Sequence, residues 1–293
     1  MLYHPNGVPV PRQPLSYRRR RLIANLVALR KTAGLSQSDA ARQIGWDGPR
    51  LSRVESGQIA ISGDDVADLA AALGADPATT AALVDLARQS RKRGWWVSAA
   101  DVLGQFSDFV ELEEDARAVR VFCSDVIPGQ LQTPAYTEAV IRSGYPDAGE
   151  EEITQRVQLR LDRQQRMVDH GYSLWVIIDE AALLRPIGGP AVMAEQLHYL
   201  AAQGRRPGIA VQILPTRLTS HPALGTPFTL IELTDGACFV HLESLTGGAT
   251  VEGPEVTAYA RAWEQLQALG GDFERSASII TQVAAEHRST THG

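Results

Sequence analysis

Cysteine and lysine are nearly missing from this 293-residue chain: it has two cysteines, and of 28 basic residues only Lys31 and Lys92 are lysines. Two isolated thiols, Cys123 and Cys238, are too few for a disulfide framework or a zinc site and read as small core residues. Arginine in place of lysine, with abundant alanine, suggests a GC-rich genome and carries no activity. No apolar run approaches the length that spans a bilayer, and the amino terminus lacks the apolar core of a signal peptide. A cytoplasmic location with no membrane partner is therefore expected. The chain also lacks H-x-x-x-H, C-x-x-C, G-x-S-x-G and phosphate-cradling glycine patterns, so no metal and no cofactor are expected. Its length allows two domains with substantial cores.

What is present is unevenly distributed. The net charge is −6, yet residues 1–58 hold ten Arg/Lys against three Asp/Glu, about +7, and the remainder carries about −13. A basic amino-terminal segment on an acidic protein points to a local anionic partner, because phosphate contacts depend on local charge and not on the overall balance.

Within that segment, residues 36–57 (SQSDAARQIGWDGPRLSRVESG) have the spacing of a helix-turn-helix. With Gln37 as the first position of the unit, Ala41 falls where the first helix must pass close to the second. Gly45 falls in the turn, where a positive φ is needed, and Leu51 and Val54 turn one apolar stripe of the second helix back onto the first. Ser36 and Asp47 stand at N-cap positions, Pro49 lies in the first turn of the second helix, and Gly57 stops it. Amphipathic stretches flank the unit, Leu22, Leu26, Leu29 and Ala33 before it and Val66, Leu69, Ala70 and Leu73 after it, which predicts a bundle of four or five helices.

The residues Leu35, Ser36, Gln37, Ser52, Arg53, Glu55 and Gly57 give this segment its resemblance to the XRE-type, lambda-repressor-like regulators. The resemblance implies binding to double-stranded DNA as a regulator of transcription. In a helix-turn-helix the start of the second helix reaches base edges, and relatives offer glutamine or serine there; this chain has Gly48 and Pro49. Direct readout is then left to Arg50, Ser52, Arg53 and Ser56, with Gln37 expected on phosphate. The run Arg18, Arg19, Arg20 and Arg21 is expected just ahead of the first helix, as an arm along the backbone or into the minor groove. A homodimer is expected, since two half-sites multiply specificity.

Residues 77–93 predict a connecting helix that ends in a basic cluster, Arg88, Arg91, Lys92 and Arg93, with a linker to about residue 100 pinned by Trp95 and Trp96. The organisation expected is a tail (1–17), an all-α helix-turn-helix bundle (18–76), the connector (77–100), an α+β domain (101–287) and a tail (288–293). In the second domain, helices are expected over 107–122, 134–143, 150–170, 190–203, 254–269 and 273–287. Strands are expected at 173–178, 209–214, 227–233 and 237–242, and Gly236 between the last two predicts an antiparallel hairpin in a small, partly antiparallel sheet.

The segments IPGQLQTPAY, IIDEAALLRPIGG, VMAEQLHYL, VQILP, FTLIEL and FVHLES make this half similar to the domain of unknown function that accompanies XRE-type heads in high-GC bacteria. That resemblance implies a regulator often encoded beside a small partner protein, in a toxin–antitoxin-like arrangement. The residues themselves leave three readings open: a domain that senses a small molecule or partner protein, an enzyme of a biosynthetic pathway built on a repurposed XRE-like chain, and a protein-interaction module. Candidate pocket residues are Gln130, Trp175, Glu180, His221, Phe228, Phe239, His241 and Glu243, chosen as aromatics and as polar groups near strand ends.

Overall fold

The structure, a computed structural model, describes residues 15–91, 94, 106–218, 220–244 and 247–290. The expected pinning tryptophans Trp95 and Trp96, the basic residues Lys92 and Arg93, most of the amino-terminal tail and the last three residues lie outside that set. The chain divides into two compact units, residues 1–100 and 101–293.

The first unit is a bundle of five helices: α1 (Tyr17–Thr32), α2 (Gln37–Gln43), α3 (Gly48–Glu55), α4 (Gly63–Ala72) and α5 (Pro77–Gln89). Each begins on a side-chain cap. Ser16, Ser36, Asp47, Ser62 and Asp76 accept from backbone N–H groups that the first helical turn would otherwise leave unpaired. Gly45 and Gly57 close the turns at φ +69° and +71°, where a side chain would be strained. Leu22, Leu26, Ala41, Leu51, Val54, Leu69, Leu83 and Ala87 share one core. Two expectations change. The arginine run is not an arm ahead of the first helix: Ser16 caps that helix, so Arg18–Arg21 are its first turns. The expected connector is the fifth helix of the bundle, because Leu83 and Ala87 complete its core.

The second unit is a six-stranded mixed sheet with helices. Its elements are α6 (Ser107–Glu114), β1 (Ala116–Cys123), α7 (Pro134–Gly144), α8 (Glu150–His170), β2 (Ser173–Asp179), α9 (Ala181–Leu184), α10 (Pro190–Gln203), β3 (Ile209–Leu214), β4 (Phe228–Leu233), β5 (Cys238–Ser244), β6 (Gly247–Val251), α11 (Val256–Leu269) and α12 (Phe273–Thr290). The strand order is β3-β2-β1-β4-β5-β6. β1 runs parallel to β2, and β2 to β3, while β4, β5 and β6 continue antiparallel from β1. The predicted hairpin is present, with Gly236 at φ +86° between β4 and β5.

The helix expected over 107–122 stops at Glu114, and 116–123 is instead β1, a strand inside the sheet. Its side chains alternate. Phe122 joins Ile177, Phe228, Leu230 and Val240 on the face that α11 covers with Trp263 and Leu266. Val119, Val121 and Cys123 point to the opposite face, and α6 and α8 belong to the layer that encloses that side through Phe109, Glu113 and Arg163. Among the described residues no helix is long and apolar enough to cross a membrane.

Candidate nucleic-acid interface and a cavity of the second unit

The α2–α3 pair is fixed by a polar cluster at its base. Glu55 accepts from Arg30 Nε at 2.7 Å and Arg30 Nη2 at 2.9 Å, and Gln37 Nε2 donates to the same carboxylate at 2.7 Å. The Arg30 and Glu55 side chains are 13% and 6% exposed, so this is an ion pair largely withdrawn from water. Breaking one side of such a pair leaves a desolvated charge behind, which ties α3 to α1 and α2. The glutamine expected on phosphate therefore already supports Glu55 with one of its N–H groups.

Other predicted contact residues fall into two sets. Arg50 is engaged internally: its guanidinium lies 3.7 Å from the Trp46 ring centre, and Nη2 donates to Asp65 at 3.1 Å. Arg18 is buried, and Arg19 donates to the Gly57 carbonyl at 3.1 Å. Arg20 is exposed, bonds the Leu15 carbonyl and lies over Tyr17, and Arg21 is partly exposed. On α3 the outward positions belong to Pro49, Arg53 and Ser56, with Ser52 partly covered. Arg53 is exposed, and among the described residues its side chain hydrogen-bonds only the helix's own Pro49 carbonyl, at 3.3 Å. Gly48, whose lack of a side chain looked like a missing base contact, has a structural cause: a Cβ there would stand 3.0 Å from Ser38 Oγ. The second helix therefore starts close against the first.

In the second unit the turn after β1 is wired from all sides. Gln132 Nε2 donates to the Ile127 carbonyl at 2.6 Å, Gln164 donates to the Gly129 and Gln132 carbonyls, and Gln196 accepts from Thr133 N while donating to the Leu131 carbonyl. Beneath it lies a buried acid. Glu113 accepts from Arg163 at 2.8 and 3.2 Å, from Gln130 at 2.8 Å and from the Tyr172 hydroxyl at 2.8 Å. Burial and that carboxylate push the tyrosine hydroxyl well above its ordinary range.

This turn roofs a cavity of about 170 Å³, lined by Phe106, Phe109, Val121, Cys123, Gln130, Arg160, Arg163, Phe228, His241 and Glu243 among others. His241 is 2% exposed, and among the described residues neither of its ring nitrogens has a hydrogen-bond partner. Its ring centre is 4.7 Å from that of Phe109 and 5.7 Å from that of Phe106. Burial, and secondarily the Arg163 charge, pull its pKa down to about 4, so it is neutral at pH 7. Arg160 donates to Gln132 Oε1 at 2.9 Å, and among the described residues it makes no ion pair. Burial lowers it to about 10, which leaves it charged. Burial pushes the Cys123 thiol far up, so it is not a nucleophile at neutral pH.

Of the eight predicted pocket residues, the fold brings Gln130, Phe228, His241 and Glu243 to this cavity and leaves four outside its lining. Trp175 lies on the other face against Trp263 and Phe273, its indole N–H donating to Gln212. Phe239 is core, and Glu180 accepts from Thr216 to hold the loop after β3. His221 accepts from Ala223 N at 3.3 Å and edges the Phe122 ring. Sequence reasoning missed Arg160, Arg163 and Glu113. A signal existed: Arg156, Arg160 and Arg163 share one face of α8 with the apolar Ile153 and Met167 by their spacing, and arginines clustered beside buried apolar residues imply a counter-charge within the fold.

Residues 22–83 match the family model described as a helix-turn-helix domain. Residues 106–282 match the model of a domain of unknown function, DUF5753. No curated protein and no solved structure matches. Since that second match takes in more than half of the chain and coincides with the mixed sheet and its helices, the protein belongs to the DUF5753 family, with a helix-turn-helix domain ahead of it.

Proposed function

We propose that this protein is a sequence-specific transcription regulator that docks α3 in the major groove of double-stranded DNA, and that its DUF5753 unit is the effector half. The observation that carries the reading is the presentation of α3: Leu51 and Val54 bury one side, the Arg30–Glu55–Gln37 cluster fixes its angle, and Arg53 and Ser56 remain on the exposed side. Arg53 is the residue of this helix best placed for base or phosphate contact, since Arg50 already has Trp46 and Asp65. An arginine forked onto guanine is worth about 1–3 kcal/mol of discrimination. Two protomers on two half-sites would supply the remaining specificity, and the α+β unit would bias DNA affinity by binding its effector, a small molecule or a partner protein, better in one state than the other.

The test is selection of DNA from a random pool by the full chain, followed by anisotropy titration of the selected site. Arg53→Ala is expected to weaken that site by about tenfold or more. Binding of the selected site no tighter than a scrambled one, at every salt concentration, would sink the regulator reading.

A further inference from the structure

The cavity of the second unit contains a contradiction that a ligand resolves. His241 is sealed in place, with Phe109 and Phe106 beside it and the bare α-carbon of Gly248 against it: a Cβ at Gly248 would fall 2.2 Å from His241 Cε1. The ring therefore cannot retreat: its Cε1–Nε2 edge lies against Gly248, and among the described residues neither nitrogen has a hydrogen-bond partner. Buried polar groups are almost always paired, because an unsatisfied donor or acceptor loses its water without compensation. Arg160 stands in the same lining with an amide as its partner, packed along Gly129. Arg163 is already neutralised by Glu113.

We propose that this cavity binds a small monocarboxylic acid with an apolar body, its carboxylate on Arg160, its body against Phe109 and Phe228, and a polar atom hydrogen-bonded to Nδ1 of His241, the ring nitrogen turned away from Gly248. The lining argues for one negative charge: Glu243 and Asp125 belong to the same wall and oppose a dianion such as a phosphate ester, while Arg160, whose partner is the Gln132 amide, is the lining cation without an ion pair among the described residues. The volume of about 170 Å³ and the phenylalanine walls suit a compact aromatic or branched body and exclude a nucleotide. In a neutral imidazole Nδ1 donates or accepts according to the tautomer, so it orients the ligand without adding charge. The inference rests on the effector reading of this unit, and it names the ligand's chemistry.

The experiment uses the full chain with benzoate, benzamide and inorganic phosphate as probes. It reads affinity by calorimetry and the His241 ring nitrogens by NMR, assigned through loss of their signals in His241→Gln. Benzoate is expected to move the His241 signals and to bind about tenfold tighter than benzamide, with phosphate weaker still. Arg160→Gln is expected to abolish the benzoate preference. Should that variant fail to fold, the three-probe comparison on the unaltered chain decides alone. His241 signals unmoved by benzoate up to tens of millimolar, or moved equally by benzamide, or phosphate the tighter ligand, would each overturn the proposal. DNA affinity measured on the same samples separates the two ideas: lost benzoate binding with intact DNA binding removes only the ligand assignment, and the reverse removes only the regulator.

Discussion

His241 shows how much one side chain can hide in a sequence. In FVHLES it alternates with apolar neighbours as a core residue does, and nothing local says that its nitrogens go unpaired. The consequence is measurable in stability. Its pKa of about 4 in the fold lies below the ordinary 6.5, so between these values the unfolded chain holds a proton that the folded chain does not. Stability from this group is fully present above pH 6.5 and is lost as pH falls toward 4. The groups facing the ring are Arg163 from α8 and Glu113 from α6, already paired with each other. By pH 5 the loss amounts to about 2 kcal/mol, from 1.36 kcal/mol per pKa unit. Urea unfolding of the full chain at pH 7 and pH 5 is expected to show that drop, and His241→Leu is expected to flatten it whatever its absolute stability. Gln37 shows the same limit of local reading. Its position predicted a phosphate contact, and its bond to Glu55, eighteen residues on, needs the packed bundle to appear.

Elements were legible where their signals are local. The caps at Ser36 and Asp47, the glycine turns and the strands at 173–178 and 209–214 are written in neighbouring residues, and the structure has them. β1 was not legible, because ARAVRVFC follows α6 closely and carries Arg117 and Arg120, which continue a helical pattern; both charges are met by Glu232 on β4, a strand more than a hundred residues away. Partners at that separation decide helix against strand and leave no trace in a local window. β6 was missed for the opposite reason. GGATV has little strand propensity, and its Gly248 lies against the His241 ring, where a side chain has no room. The pairing of β5 with β6 should therefore tolerate no side chain at that position. Gly248→Ala is expected to destabilise the second unit by about 1–3 kcal/mol through overpacking. Combining it with His241→Ala should recover part of that loss, as read by a double-mutant cycle of urea midpoints. Additive losses would mean that the two residues do not compete for the same space.

At the scale of the whole molecule, charge is divided along the chain: about +7 up to residue 58 and about −13 beyond it. The helical bundle keeps its core within residues 22–87, so its fold needs no residue from the acidic unit. On the proposed reading, in which the bundle alone meets the DNA, counterion release depends on the number of phosphates the bundle neutralises, whereas the acidic unit acts only through its field. These two effects respond differently to salt. A field decays over roughly 10 Å at 0.1 M salt, while each phosphate contact contributes about −0.9 to the slope of log affinity against log salt. Anisotropy titrations of one DNA duplex, from low to moderate salt, are expected to give the full chain and a fragment of residues 1–91 slopes within about one of each other. The fragment should bind tighter chiefly at the lowest salt, where the acidic unit's repulsion is unscreened. A full-chain slope steeper by two or more would show the DUF5753 unit, or a second protomer that it recruits, placing further cations on the backbone.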